Sequence, residues 1–299
     1  TTKSYAITVR SLRATKLLMD RDYIEILDLE LEVVLSFLIH ILQGDAATPP
    51  WKKTLVIEFF CNVEFLTWFW IFKYFDARKT EKQQVLLQLL VAFKEELLSE
   101  KFQPYLREAP ILVNGEPPLL SQDSITMKTP LLELVDKVHP PVIDPKYGLI
   151  LLFQIVTNLS SESESYTLKT AQNKEELDIL KLMIAHIYDV LSESLRLFFY
   201  SSALDTNLFH RLVRGFQKLA HSCCLLKLKK QFDQSIQDFA KYIVQLTAES
   251  PKDYLEGEYQ PDTQSLSSAN TEISILGAIS DSFLGNSSNN ASNNDDNTS

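Results

Sequence analysis

Glycine is scarce here, at 7 of 299 residues. Folds built on tight hairpins or on phosphate-cradling loops need glycine at positive φ or at close backbone approach, so this composition disfavours them. Cysteine is scarcer still, at 3 residues. Cys223 and Cys224 are adjacent, which argues against a disulfide framework. With Cys61 they read as small core hydrophobes in a reduced, cytosolic setting. The motifs G-x-S-x-G, H-E-x-x-H, G-x-x-x-x-G-K-[ST], G-x-G-x-x-G and C-x-x-C are all missing. None of the five histidines (His40, His139, His186, His210 and His221) lies three or four residues from another, so no helical metal pair is encoded. Adjacent acids such as Glu95-Glu96 and Glu175-Glu176 read as solvated helix faces rather than acid/base dyads. The chain is therefore expected to be no enzyme, with no catalytic residue, cofactor or metal ligand. Its start, Thr1-Thr2-Lys3-Ser4, has neither an initiator Met nor a signal-peptide pattern, and suggests a piece of a longer protein.

Charge is unevenly spread. The formal net charge is -10, and residues 249–299 hold nine acids against the single base Lys252. The body is thus close to neutral, which gives no electrostatic case for nucleic acid. A basic surface is expected where Arg211, Arg214 and Lys218 on one helix meet Lys227, Lys229 and Lys230 after it, suited to anionic lipid or an acidic partner. The eighteen mostly apolar residues from Leu55 to Phe72 contain Glu58, Asn62 and Glu64. A carboxylate at the centre of a membrane costs about 2.5–3.5 kcal/mol, so a buried helix is the better reading.

Apolar residues recur at helical spacing through most of the chain. Ile24, Leu27, Leu31, Val34 or Leu35, Leu38 and Ile41 form one stripe, which ends at Gly44 before Pro49-Pro50. Thr80 to Gln83 resembles a capping box ahead of Val85, Leu86, Leu89, Leu90 and Phe93. Eight of the twelve prolines fall between Gln103 and Pro145, a connector with one short helix expected over 130–138. Beyond it, a short apolar helix is expected over 147–159 and a polar loop over 160–165. Three amphipathic helices come next, on Leu177 to Leu195, Leu208 to Cys223, and Phe232, Ile236, Phe239, Ile243 and Leu246. Because the stripes reset at breakers, the fold class expected is an all-α, armadillo/HEAT-like solenoid of stacked helices. The divisions are 1–108, a connector 109–145, a helical-repeat region 146–248, and an acidic, Ser/Asn-rich disordered tail 249–299. Within that tail, Glu272 to Leu284 could form a docking helix.

Several of these residues resemble a known family. Leu12-Arg13, Ile26 to Leu42, and Pro50-Trp51-Lys52-Lys53 with Leu55, Glu58 and Phe59 are similar to the HUS region upstream of the catalytic domain in large Arf guanine-nucleotide exchange factors. Tyr74-Phe75-Asp76 stands at the family's short HUS box; Phe75 and Asp76 match, while Tyr74, Ala77 and Arg78 depart from it. Leu208 to Ile243 resembles the first helices downstream of the catalytic domain, and the span between is too short and proline-broken to hold that domain. The connector segment LLELVDKVHPPVIDPKYGLILLF looks like that of the branch without it, the Mon-two or Ysl-two family. The resemblance implies a peripheral scaffold of the trans-Golgi and endosomes. Its implied partners are a Dopey-family protein, an aminophospholipid flippase and an Arf-like small GTPase, with homodimerisation a further expectation. It also makes Tyr74, Phe75 and Asp76 an architectural joint, with Asp76 capping a helix or holding a loop. Two alternatives stay open: a regulatory segment of a catalytic Arf exchange factor, and an unrelated armadillo-like transport adaptor.

Overall fold

A computed structural model describes residues 4–44, 48–77, 84–106, 120–121, 129–201 and 203–249. They form an all-α stack: α1 (Tyr5–Leu18), α2 (Arg21–Ile24), α3 (Asp28–Gln43), α4 (Pro50–Cys61), α5 (Phe65–Ile71), a π-helical turn (Phe72–Asp76), α6 (Val85–Leu97), α7 (Gln103–Leu106), a 3-10 turn (Leu131–Glu133), α8 (Pro145–Lys169), α9 (Lys174–Phe199), α10 (Thr206–Leu225) and α11 (Lys229–Glu249). Among the described residues there is no strand, only an isolated bridge between Leu120 and Leu204. Thr80–Gln83 and residues 250–299, including Glu272–Leu284, lie outside the described residues.

One helix organises the rest. From Tyr147 to Thr157, α8 is buried at every position except half-buried Gln154, which is why the sequence there is apolar on all sides. It packs against α4, α5, α9 and α10. Apolar side chains from Tyr5 to Tyr242 join a single buried cluster around it. Prolines set two helix starts, Pro50 in α4 and Pro145 in α8, each in the first turn where a missing N–H costs nothing.

Five expectations change. The apolar run from Leu55 to Phe72 is two helices, not one, bent by 103°. The break falls at Asn62–Glu64, where the Asn62 side chain donates back to the Glu58 carbonyl at 2.8 Å. No single helix among the described residues is long and apolar enough to cross a membrane, and only this bent pair passes by length and composition. The expected loop over 160–165 is continuous α8. Its hydroxyls are satisfied within the helix: Ser160 donates to Val156 O at 2.7 Å, Ser163 to Ser160 O at 2.8 Å and Thr167 to Ser163 O at 2.6 Å. Thr167 Oγ1 also meets Ser222 Oγ of α10 at 3.2 Å. The expected helix over 130–138 shrinks to the 3-10 turn, because the backbone leaves helical geometry at Leu134 (φ -82°, ψ 53°). Finally, α11 buries Ser235, Phe239 and Tyr242 and leaves Ile236 outside. Ser235 turns inward because its hydroxyl meets that of Tyr188 at 2.7 Å. Of the cysteines, Cys223 is buried and Cys61 half-buried, but Cys224 is exposed, because the next helical position points about 100° away.

Candidate functional site

Around the π-helical turn the chain is built by aromatic packing and closed by one carboxylate. Ala77 donates its N–H to Phe72 O at 2.8 Å, a five-residue step that marks the π turn. That wider turn carries Tyr74, Phe75 and Asp76. Phe75 is buried, and half-buried Tyr74 lies 6.0 Å from the Trp70 ring. The Lys73 ammonium lies over Trp70 at 5.0 Å and the Arg21 guanidinium over the same ring at 5.0 Å, so α2 and the turn share one cation–π platform. Asp76, 2% exposed, reaches the start of α6. Its Oδ1 accepts from Val85 N at 2.7 Å and Leu86 N at 3.2 Å. Its Oδ2 accepts from Leu86 N at 3.0 Å and Leu87 N at 3.3 Å. The N-cap position, Gln84, makes no side-chain cap of its own, so a carboxylate nine residues before Val85 takes that role. It also places negative charge at the positive end of the helix.

Two further acids repeat this device, and their roles are not evident from sequence spacing. Glu58, 1% exposed, sits inside α4. It accepts from Leu131 N at 3.0 Å, Leu132 N at 2.8 Å and the Tyr147 hydroxyl at 2.6 Å, which fastens the Pro-rich connector to α4 and α8. Beside it the Tyr5 hydroxyl donates to Leu131 O at 2.9 Å, bringing in α1. Burial, with Glu58 adding to it, pushes the Tyr5 phenol up to about 12; burial followed by the bond to Glu58 pushes Tyr147 up as well. Glu162 of α8 accepts from Phe65 N at 3.2 Å and closes the start of α5, and burial raises its carboxyl. An acid inside an apolar run, which also holds Asn62 and Glu64, was the available signal for Glu58. Nothing local marks Glu162.

The expected basic surface does not gather into one patch. Arg211 turns onto α8, donating to Asn158 Oδ1 at 2.7 Å, and burial lowers its pKa. Lys218 pairs with Glu164 at 3.4 Å, and His221 Nδ1 meets the same carboxylate at 2.5 Å. Arg214, Lys227, Lys229 and Lys230 remain exposed, the last three where α10 passes into α11. Lys227 holds φ at 57°. Among the described residues, no group of three or more His, Cys, Asp or Glu side chains is placed to hold a metal ion. Glu58, Asp76 and Glu162 are engaged by backbone N–H groups, and the arrangement they create is mechanical: each closes a helix start across a gap in the sequence.

Comparison with known proteins adds the family. The model described as "Mon2/Sec7/BIG1-like, HUS domain" matches residues 1–83, which contain Glu58 and the π turn. Protein MON2 of Saccharomyces cerevisiae is 31% identical over 252 residues, covering 80% of this chain. The chain spans about 15% of the length of that relative. No solved structure matches. With an HUS domain over its first 83 residues and identity to MON2 across most of its length, the chain belongs to the Mon2 family of Sec7-like proteins.

Proposed function

We propose that this chain is a non-enzymatic scaffold segment in Golgi–endosome vesicle trafficking, acting through protein contacts on its helical surface. The observation that carries this reading is the 31% identity to MON2 across 80% of the chain, together with the HUS match. The expected partners are a Dopey-family protein, an aminophospholipid flippase and an Arf-like small GTPase, with homodimerisation as a further contact. Its setting is peripheral, on the cytoplasmic side of trans-Golgi and endosomal membranes. Tyr74, Phe75 and Asp76 serve as a joint that fixes how the first helices meet α6. Support for a mechanical rather than chemical role comes from Asp76 and Glu58, whose oxygens are taken up by backbone and phenol donors. Exposed Arg214, Lys227, Lys229 and Lys230 suit a secondary contact with anionic lipid or an acidic protein.

Affinity capture of the full-length tagged protein, with and without residues 1–247, tests this. Loss of a Dopey-type protein or a flippase on deletion is the expected result. An unchanged partner set overturns the role assigned to this segment. A second reading, the regulatory segment of a catalytic Arf exchange factor, is favoured by the breadth of the matched family, whose description includes Sec7- and BIG1-like proteins. Arf nucleotide exchange by the purified full-length protein above the uncatalysed rate would establish that reading and displace the first.

A further inference from the structure

α3 buries one face, Leu31, Leu35, Leu38, Ile39 and Leu42, and carries a second apolar face that points outward. Leu29, Val33 and Phe37 succeed each other at steps of four and are 70%, 70% and 54% exposed, and Ile26 in the turn just before the helix is 75% exposed. Singly such residues are ordinary; as a helical row they form a contiguous apolar strip of the kind that marks a contact surface.

Charge identifies what fits it. No Lys or Arg occurs between Asp22 and Trp51, while Asp22, Glu25, Asp28 and Glu30 are exposed there. The cations flanking this stretch are turned elsewhere, Arg21 over the Trp70 ring and Lys52 over the Trp51 ring at 5.5 Å. An anionic bilayer would meet these carboxylates unfavourably. A second copy of the same face would set acid against acid, and so would the chain's own residues 249–299 with their nine acids.

We propose that the outer face of α3 is the docking site for an amphipathic helix of a protein partner, with its apolar edge on Leu29, Val33 and Phe37 and Lys or Arg along its flanks facing Asp22, Glu25, Asp28 and Glu30. This deepens the protein-contact reading and rests on it. The test is a photo-crosslinking phenylalanine analogue encoded at Val33 of the full-length protein in cells, with exposed Asp178 of α9 as the control position. Adducts are mapped to peptides by mass spectrometry. The expected adduct is a segment with helical apolar periodicity and net positive charge, at least ten times the yield at Asp178. Its yield falls severalfold in the triple variant Glu25→Gln, Asp28→Asn, Glu30→Gln. An adduct to lipid, to a second copy of this face, to an acidic segment, or at no more than the control yield overturns the proposal. If partner capture still depends on residues 1–247 while Val33 gives no such adduct, only the α3 assignment fails.

Discussion

At the scale of single residues, three acids, Glu58 and Asp76 buried and Glu162 at the surface, carry information out of proportion to their number. Glu58, Asp76 and Glu162 each accept backbone N–H groups from an element distant in sequence. Removing such an acceptor strands the donors, which costs about 1–3 kcal/mol for each buried group left unsatisfied. Glu58→Ala strands Leu131 N, Leu132 N and the Tyr147 hydroxyl, and entering water relieves part of the loss. The expected destabilisation is about 3 kcal/mol, with Glu58→Gln intermediate because its amide oxygen keeps some acceptor capacity. Urea denaturation checks this; a loss below ~1 kcal/mol would mean that the connector is held by apolar contacts alone.

At the scale of elements, two features give opposite expectations. Lys227 takes the left-handed conformation where α10 ends, with φ at 57°. Leu228 N donates to Cys223 O at 2.8 Å and Lys227 N to Cys224 O at 3.0 Å, the paired bonds of a Schellman ending. A residue with a Cβ pays about 1–2 kcal/mol to stand there. Lys227→Gly is therefore expected to raise stability by about 1 kcal/mol, offset in part by the greater freedom of glycine in the unfolded chain. Thermal unfolding reads the sign directly. Gly215 sits where α10 crosses α8, and a Cβ there would stand 3.4 Å from Thr157 O. Gly215→Ala fits and gains helix propensity, so its melting temperature should match or exceed the parent's. Gly215→Leu should lose about 1–3 kcal/mol, because its outer atoms meet the α8 backbone.

Much of this element structure was legible in the sequence. The stripes on Leu180 to Leu195, Leu208 to Cys223 and Val85 to Phe93 are buried as their spacing requires. The features that escaped depend on partners that spacing does not encode. Composition alone cannot show that the hydroxyls of Ser160 and Ser163 bond to carbonyls of their own helix, so that stretch read as a loop. The 103° bend at Asn62 interrupts a run with no apolar gap wide enough to announce it. Across the connector, the bond from Glu58 to Leu131 spans 73 residues. At the HUS box, family resemblance pointed to Asp76, while its N–H donors became visible only in the fold.

At the scale of the whole molecule, the single core makes stability a collective property and gives it an alkaline limit. The thiols of Cys61 and Cys223 are pushed from the ordinary 9.0 to about 12 by burial. Tyr5 and Tyr166 are pushed from 10.0 to about 12, chiefly by burial, and Tyr147 is raised as well. A folded-state pKa above the unfolded one means that the native chain keeps protons which the unfolded chain gives up. The resulting stabilisation is complete below pH 9 and is lost as the pH climbs toward 12. The urea midpoint should be flat up to about pH 9 and fall steadily above it. A flat midpoint up to about pH 11.5 would show these groups to be open to solvent in the native state.

The π-helical turn makes the chain sensitive to length rather than to letter. A π turn is an α-helix holding one residue too many, so losing any one residue within 72–76 would let regular helical bonding run on. Losing a residue ahead of Asp76 would tighten the five-residue step to four and redraw the turn that carries it. Asp76 would then swing away from the start of α6. Among changes at this joint, a one-residue deletion should be tolerated less well than any single substitution, and lineages that keep the cap should keep the count of residues there.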